Sequence, residues 1–267
     1  MRKIAAQIRQ QIIEMIYSAQ SGHPAGSLGM TDVFTVLYFG QILKFKPQEP
    51  FWEERDYLIL SNGHICPVLY ACLAKAGFFA ETELKTFRQF NSRLQGHPHL
   101  GSPPGVENTA GPLGQGLSQA VGVALGLKME QKTNHVFCVT SDGEHQEGQT
   151  WESYMLAAKY KLNNLTVLID RNQIQIGGPT EEIMPIEPLK YKLASFGFDV
   201  AELDGHNFEQ LVANLKQTKK QLAPTAIICH TIPGKGVSFM ENNFDWHGKA
   251  PNQNEFEQAM KELKNYE

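Results

Sequence analysis

Asp142 and Asn172 stand 30 residues apart, each within three residues of the end of an apolar run. Residues 136–140 and 165–169 read as strands, with a helix between them. One β-α-β step spans about that length, so the two side chains leave neighbouring parallel strands at the same end. In an open parallel sheet that end is where ligands bind. A carboxylate and an amide oxygen paired there suit a hard cation that clamps a phosphate-bearing ligand. The plainer alternative is that Asp142 only caps the helix that follows it.

Four histidines add a second chemistry. His23, His64, His97 and His247 each sit beside a glycine, in four separate loops. With a pKa of about 6.5, histidine gives and accepts protons near neutral pH. The rival reading is a histidine metal site, but only His97-Pro98-His99 has close spacing and no third ligand is near it. His99, His135, His145 and His230 read as surface or hydrogen-bonded core residues, and His206 as part of a turn before an Asn207 cap.

These groups must be placed by the elements around them. Helical spacing is expected over residues 1–20, 33–39, 70–75 and 81–90, and from the TAGPLGQG start at 109–116 to about 130. Further helices are expected over 188–196, from Asn207 to 220, and over 252–263. Thr31-Asp32 and Asn207 with Gln210 read as helix caps, the second as a capping box. Short apolar strands are expected at 56–60, 199–203 and 225–229. The glycine-rich stretch SGHPAGSLGM reads as a loop, and residues 91–108 as a long functional one. The Met and aromatic residues of 151–160 read as core. Helices alternating with strands make the class α/β, a largely parallel sheet flanked by helices, with one domain over residues 1–267.

The bulk numbers agree. Of 267 residues, 42% are hydrophobic and 19% charged, which is enough apolar matter for a packed core. A net charge of −4 gives no basic stripe for nucleic acid. No apolar run is long enough to span a membrane, and the polar-interrupted first 20 residues do not read as a signal peptide. Cys66, Cys72, Cys138 and Cys229 form no CxxC pair and lie in apolar surroundings, as reduced core residues of a cytoplasmic protein would.

The stretch from DGEHQEG to NLTVLIDRNQIQIGG resembles the thiamine diphosphate motif, which runs from Gly-Asp-Gly to Asn. SGHPAGSLGM, LSNGHICPVLYA, LQGHPHLGSPPGVENTAGPLGQGLSQAVG and TIPGKGVSFMENNFDWHGKAP resemble transketolase stretches, in the family's order. The resemblance implies the thiamine diphosphate-binding fold and a transketolase that moves a two-carbon ketol unit between ketose and aldose phosphates of the pentose phosphate pathway. It covers only the family's N-terminal, diphosphate-binding domain. The pyrimidine-binding and C-terminal domains are expected on a separate chain, making this the N-terminal subunit of a split transketolase. A heterotetramer with that partner, or a self-associating dimer, follows.

The site residues it implies are these. Asp142, Asn172 and the carbonyl of Ile174 would bind Mg²⁺, with Ca²⁺ able to substitute. Gly143 would offer its amide to the diphosphate, and His64 and His247 would approach it or the reacting centre. His23 and His97 would line the sugar channel. Gly111, Pro112 and Leu113 would pack on the cofactor's middle and pyrimidine side. Glu147 resembles an interface glutamate that couples paired active sites, and Lys235 would lie near the cofactor. Asn62 stands where the family commonly has lysine, Ser141 replaces the first glycine of Gly-Asp-Gly, and Ala25 and Ala110 replace glycines. Three alternatives stay open: a chain of the deoxyxylulose-phosphate synthase type, a transketolase for a specialised sugar, and a non-catalytic assembly module with the same fold.

Overall fold

The computed structural model describes residues 1–266. The chain opens with helices α1 (Arg2–Ala19), α2 (Pro24–Gly29) and α3 (Thr31–Phe39). Strand β1 (Tyr57–Leu60), helix α4 (Cys66–Ala76), helix α5 (Gln115–Met129) and strand β2 (Val136–Ser141) follow. Helix α6 (Gly148–Lys159) leads to strand β3 (Leu165–Arg171), and a small hairpin of β4 (Ile174–Gln175) and β5 (Gly178–Pro179) leads to α7 (Thr180–Ile183). The chain ends with α8 (Leu189–Ser195), β6 (Asp199–Asp204), α9 (Phe208–Thr218), β7 (Thr225–His230) and α10 (Gln253–Lys264).

Five strands form one sheet in the order β1-β2-β3-β7-β6, with every pairing parallel. All residues of β2 and β3 are buried, as expected of central strands covered on both faces. The chain steps outward from β3 to β6, then back to place β7 between them. A right-handed crossover made in that reversed direction puts its helix on the opposite face. Leu211 and Leu215 of α9 accordingly join the core built by α1, α3, α4 and α10. Leu117 and Val121 of α5, Tyr154 of α6 and Leu193 of α8 fill the other face. All five strands therefore deliver their C-terminal ends to a single edge.

Several expectations are corrected here. Residues 24–29 are helical, not a loop, because Pro24 presets the first turn and the Ser27 hydroxyl bonds back to the His23 carbonyl at 2.7 Å. The glycines there serve close approach instead: a β-carbon at Gly26 would press on Ile65 at 2.8 Å. Thr31 and Asp32 do not cap α3. Thr31 Oγ1 donates to the Ser27 carbonyl, and Asp32 is taken up by Arg9. The helix expected over 81–90 is a 3₁₀ turn, Glu81–Thr86, stopped by Arg88, which adopts a left-handed φ of 58°. Asn207 caps α9, but the Gln210 side chain accepts from the Asp204 amide, so the reciprocal capping box is absent there. That box forms at Asn252 and Glu255 on α10. In α6 only part of the apolar set is core: Tyr154 and Ala157 are buried, whereas Met155 is 60% exposed and Leu156 and Tyr160 are exposed too. Among the described residues no helix is long and apolar enough to cross a membrane, and the four cysteines are buried and unpaired.

A tight joint in the fold lies where α5 starts. A β-carbon at Gly116 would overlap Ser61 at the end of β1, and the Gly116 amide donates to Ser61 Oγ at 3.1 Å. Gly116→Ala is expected to lower the unfolding free energy by about 1–3 kcal/mol, the usual cost of overpacking. Urea titration of the two proteins checks this, and an unchanged midpoint would contradict it.

Candidate active site

At the C-terminal edge, three buried carboxylates each gather donors from different segments. Glu144, two residues beyond Asp142, accepts from the Ser141 amide at 2.9 Å, the Ser61 hydroxyl at 2.5 Å and the Gly114 amide at 2.7 Å. It joins the ends of β1 and β2 to the turn before α5. Burial raises its pKa, while these hydrogen bonds act to lower it.

Asp142 follows β2 and is 1% exposed. Its Oδ2 accepts from Arg171 Nη1 at 2.8 Å, the Gln173 amide at 2.8 Å and the Thr180 hydroxyl at 3.3 Å. Its Oδ1 accepts only from the Gly143 amide. Burial pushes the carboxyl up, against the pull of Arg171. Asp170, on β3 and fully buried, accepts from the Thr231 hydroxyl and from Asn172 Nδ2 at 2.8 Å. The amide nitrogen of Asn172 is thereby turned to Asp170. Its Oδ1 faces the opposite way, where it accepts from the Ile174 amide at 3.0 Å. Burial, with Asp142 nearby, raises Asp170 to about 7.

The donors that Asp142, Asn172 and the Ile174 carbonyl would offer a cation are all oxygens, the chemistry that suits Mg²⁺ or Ca²⁺. The residues present fit a bound diphosphate as well. A β-carbon at Gly111 or Gly143 would meet no other heavy atom within 4 Å, so both backbones face open space. Pro112 and Leu113 beside them are exposed, as is Glu147 at the start of α6.

The four loop histidines come together. The His23 ring centroid lies 5.2 Å from His64, 5.7 Å from His247 and 6.4 Å from His97, and His64 lies 5.4 Å from His247. His23 enters α2, His64 sits in the turn after β1, His97 in the long loop and His247 after the Phe244–Trp246 turn. Burial, followed by the charges of His247, Arg88 and His97, depresses His23 to about 4. His64 lies well below its ordinary value, again mainly through burial, and His97 and His247 are lowered too. With all four pKa values lowered, the cluster at neutral pH is a group of uncharged imidazoles set at tilted and edge-on angles. Nδ1 of His23 and both side-chain polar atoms of Asn62 are buried without a protein partner.

The cluster is attached to the Asp142–Asn172 edge through α2 and the loop after β7. Gly26 packs near Asp170 Oδ2, and the Gly234 amide donates to the Ala25 carbonyl at 2.8 Å. That loop is fixed from beneath. Arg9 forms two hydrogen bonds with Asp32, at 2.7 and 3.0 Å, and gives its Nε–H to the Lys235 carbonyl at 3.1 Å. His206 Nε2 accepts from the Ile232 amide, so Nδ1 carries the proton donated to Asp32. The Lys235 ammonium turns to Glu241, at 3.5 Å.

Sequence reasoning did not single out Glu144, Asp170, Arg171 or the Arg9–Asp32–His206 network. The available signal was an acid inside or directly beyond an apolar strand, a position that is costly without partners. His135 and His145 are buried and hydrogen-bonded, to Thr166 at 2.7 Å and to Tyr154 at 2.8 Å.

The chain matches, over residues 1–266, the family model described as transketolase, thiamine diphosphate binding domain. It is 38% identical over 258 residues to an apulose-4-phosphate transketolase subunit of Phocaeicola vulgatus, covering 96% of this chain and 90% of that protein. To the 6-deoxy-6-sulfo-D-fructose transketolase subunit SqwG of a Clostridium species it is 40% identical, covering 96% and 93%. The solved transketolase of Campylobacter jejuni superposes with a TM-score of 0.93 at 33% identity, over 98% of this chain. The chain spans 42% of the length of that structure. Fold, strand-edge geometry and both kinds of match agree that the chain belongs to the transketolase family, in its thiamine diphosphate-binding domain.

Proposed function

We propose that this chain is the N-terminal, diphosphate-binding subunit of a two-chain transketolase that transfers a two-carbon ketol unit between a ketose and an aldose phosphate. The observation that carries the reading is the meeting of four uncharged loop histidines at the strand edge that also holds Asp142 and Asn172. Relatives that are themselves named as transketolase subunits, matched over 90% or more of their length, support the second chain. That chain would carry the pyrimidine-binding and C-terminal domains, leaving residues 1–267 here as a single diphosphate-binding domain. Two copies of each would form a heterotetramer, in the cytoplasm.

Asp142, Asn172 and the Ile174 carbonyl would hold Mg²⁺, and Gly143 with the Gly111–Leu113 turn would receive the cofactor's diphosphate and middle. Bound thiamine diphosphate supplies a thiazolium carbon that accepts and releases the two-carbon fragment. The histidines do the proton work. A neutral imidazole accepts the proton of the donor sugar's hydroxyl as its carbon–carbon bond breaks, and returns one to the acceptor's oxygen. His64 and His247, with ring centroids 5.4 Å apart, would take this role, with His23 and His97 toward the sugar channel. Lys235 supports the loop by its ion pair, and Glu147, exposed, is free to meet a partner.

The donor is read as an ordinary ketose phosphate such as xylulose 5-phosphate, which would place the enzyme in the pentose phosphate pathway. A specialised ketose is the second reading, favoured by the relatives named for apulose 4-phosphate and 6-deoxy-6-sulfo-D-fructose.

Assayed alone with Mg²⁺, thiamine diphosphate, xylulose 5-phosphate and ribose 5-phosphate, the chain is expected to form no sedoheptulose 7-phosphate. With a chain carrying the pyrimidine domain it should turn over the phosphates or one of the specialised ketoses. Turnover by the chain alone would refute the two-chain reading.

His247→Ala in the reconstituted pair should reduce kcat by about 10²–10⁴-fold, the range of general acid–base catalysis. An unaffected kcat would remove His247 from the chemistry.

The histidine shifts also set a stability profile. His23, His135 and His145 each drop to about 4 when folded, chiefly by burial. Below pH 6.5 the unfolded chain therefore binds protons that the folded chain refuses. Their contribution is complete above pH 6.5 and is lost as pH falls toward 4, at roughly 2 kcal/mol each by pH 5. Asp170, raised to about 7, binds its proton when folded and offsets about one histidine's share. These four groups together should lower the unfolding free energy by ~3 kcal/mol between pH 7.5 and 5. Urea unfolding at the two pH values measures it, and equal midpoints would contradict the buried, neutral histidines.

A further inference from the structure

Arg171 ends β3, next to Asn172, and its side chain is 4% exposed. Nη1 donates to Asp142 Oδ2 at 2.8 Å. Nη2 turns outward to Glu181 at 2.8 Å and Glu187 at 3.0 Å, with Nε also on Glu187 at 3.2 Å. The outer two carboxylates are 36% and 49% exposed, so water and salt screen them. The Asp142 side chain is 1% exposed, and its pair with Arg171 is not screened in that way. Oδ2 is saturated by three donors. Only Oδ1, with the single Gly143 amide on it, has capacity left for a cation. A buried carboxylate is ordinarily the main attraction that a bare divalent cation meets. Here its charge is already matched.

We propose that Arg171 is a resident counter-charge that makes this edge a site for a cation–diphosphate pair and a poor site for the cation alone. With Asp142 compensated in place, a bare cation gains little from entering. A diphosphate brings the missing negative charge and is itself drawn by both the cation and the guanidinium. Glu181 and Glu187 keep the guanidinium turned toward Asp142, so Arg171 is a positioning residue acting through Asp142. The inference rests on reading Asp142 and Asn172 as the diphosphate–cation edge.

The test is equilibrium dialysis of the full chain with Mn²⁺ alone, inorganic diphosphate alone, and the two together. Wild type should retain Mn²⁺ at least tenfold more weakly alone than with diphosphate. Arg171→Gln should bind Mn²⁺ alone about tenfold more tightly, with most of the dependence on diphosphate lost. Arg171→Lys, which keeps the charge, should stay within about twofold of wild type. A folded Arg171→Gln whose affinity for Mn²⁺ alone is unchanged or weaker overturns the proposal. Removing one partner of a buried pair is costly, so if that variant does not fold, wild type decides: equal Mn²⁺ retention with and without diphosphate overturns it equally. Absence of any Mn²⁺-dependent diphosphate uptake by wild type is a different result, and refutes the site reading underneath.

Discussion

The buried carboxylate that takes its donors from separate segments is the interaction on which this architecture depends. Glu144 is 0% exposed, and its partners are two backbone amides and a hydroxyl rather than a cation. An ionised group in such a place is tolerated only if its acceptor capacity is met. Meeting it fixes the end of β1, the end of β2 and the turn before α5 relative to one another. Asp142, Asp170 and Asp32 repeat the arrangement at three further points. Each one removes freedom from loops that a parallel sheet would otherwise leave at its C-terminal edge with only solvent to order them.

The consequences reach the histidines. His64 leaves β1 two residues after Asn62 and three after Ser61, whose hydroxyl lies on Glu144. His23 leads into α2, whose first turns rest against Ile65 and near Asp170. The loop after β7 hangs on the Ala25 carbonyl and on Arg9, Asp32 and His206. Burial pushes Asp32 up, but the hydrogen bond from His206 and the charge of Arg9 outweigh it and hold the acid below its ordinary value. Three rings from other loops can crowd within 6.4 Å of His23 because none needs to be charged. The desolvation that keeps them neutral thus also removes the repulsion that would drive them apart.

The same edge divides into two electrical regions. Around Asp142 and Asp170 the protein concentrates acid, tempered by Arg171. Around His23 and His64 it is neutral, with Arg88 a fixed cation acting on His23 and His97. A ligand carrying a diphosphate at one end and a reacting carbon at the other would, on the proposed reading, meet both regions if it lay across the strand ends.

The five strands of the main sheet, their parallel class and the position of the Asp142–Asn172 pair were legible in the sequence, because apolar runs of strand length and the side chains that follow them are local facts; the antiparallel β4–β5 hairpin was not. The four site histidines stood out by their glycine neighbours and by family resemblance. Other features were not local. Whether SGHPAGSLGM coils or turns into a helix depended on Pro24, the Ser27 back-bond and the packing against Ile65. Whether Thr31-Asp32 caps a helix depended on Arg9, 23 residues away, claiming the carboxylate first. His206 read as a turn residue, yet it bridges elements 174 residues apart. A sequence by itself determines which groups could be polar, apolar or charged along each element. Only the tertiary structure decides which buried acid meets which donor, because that choice is made by the desolvation cost of leaving any one of them unpaired.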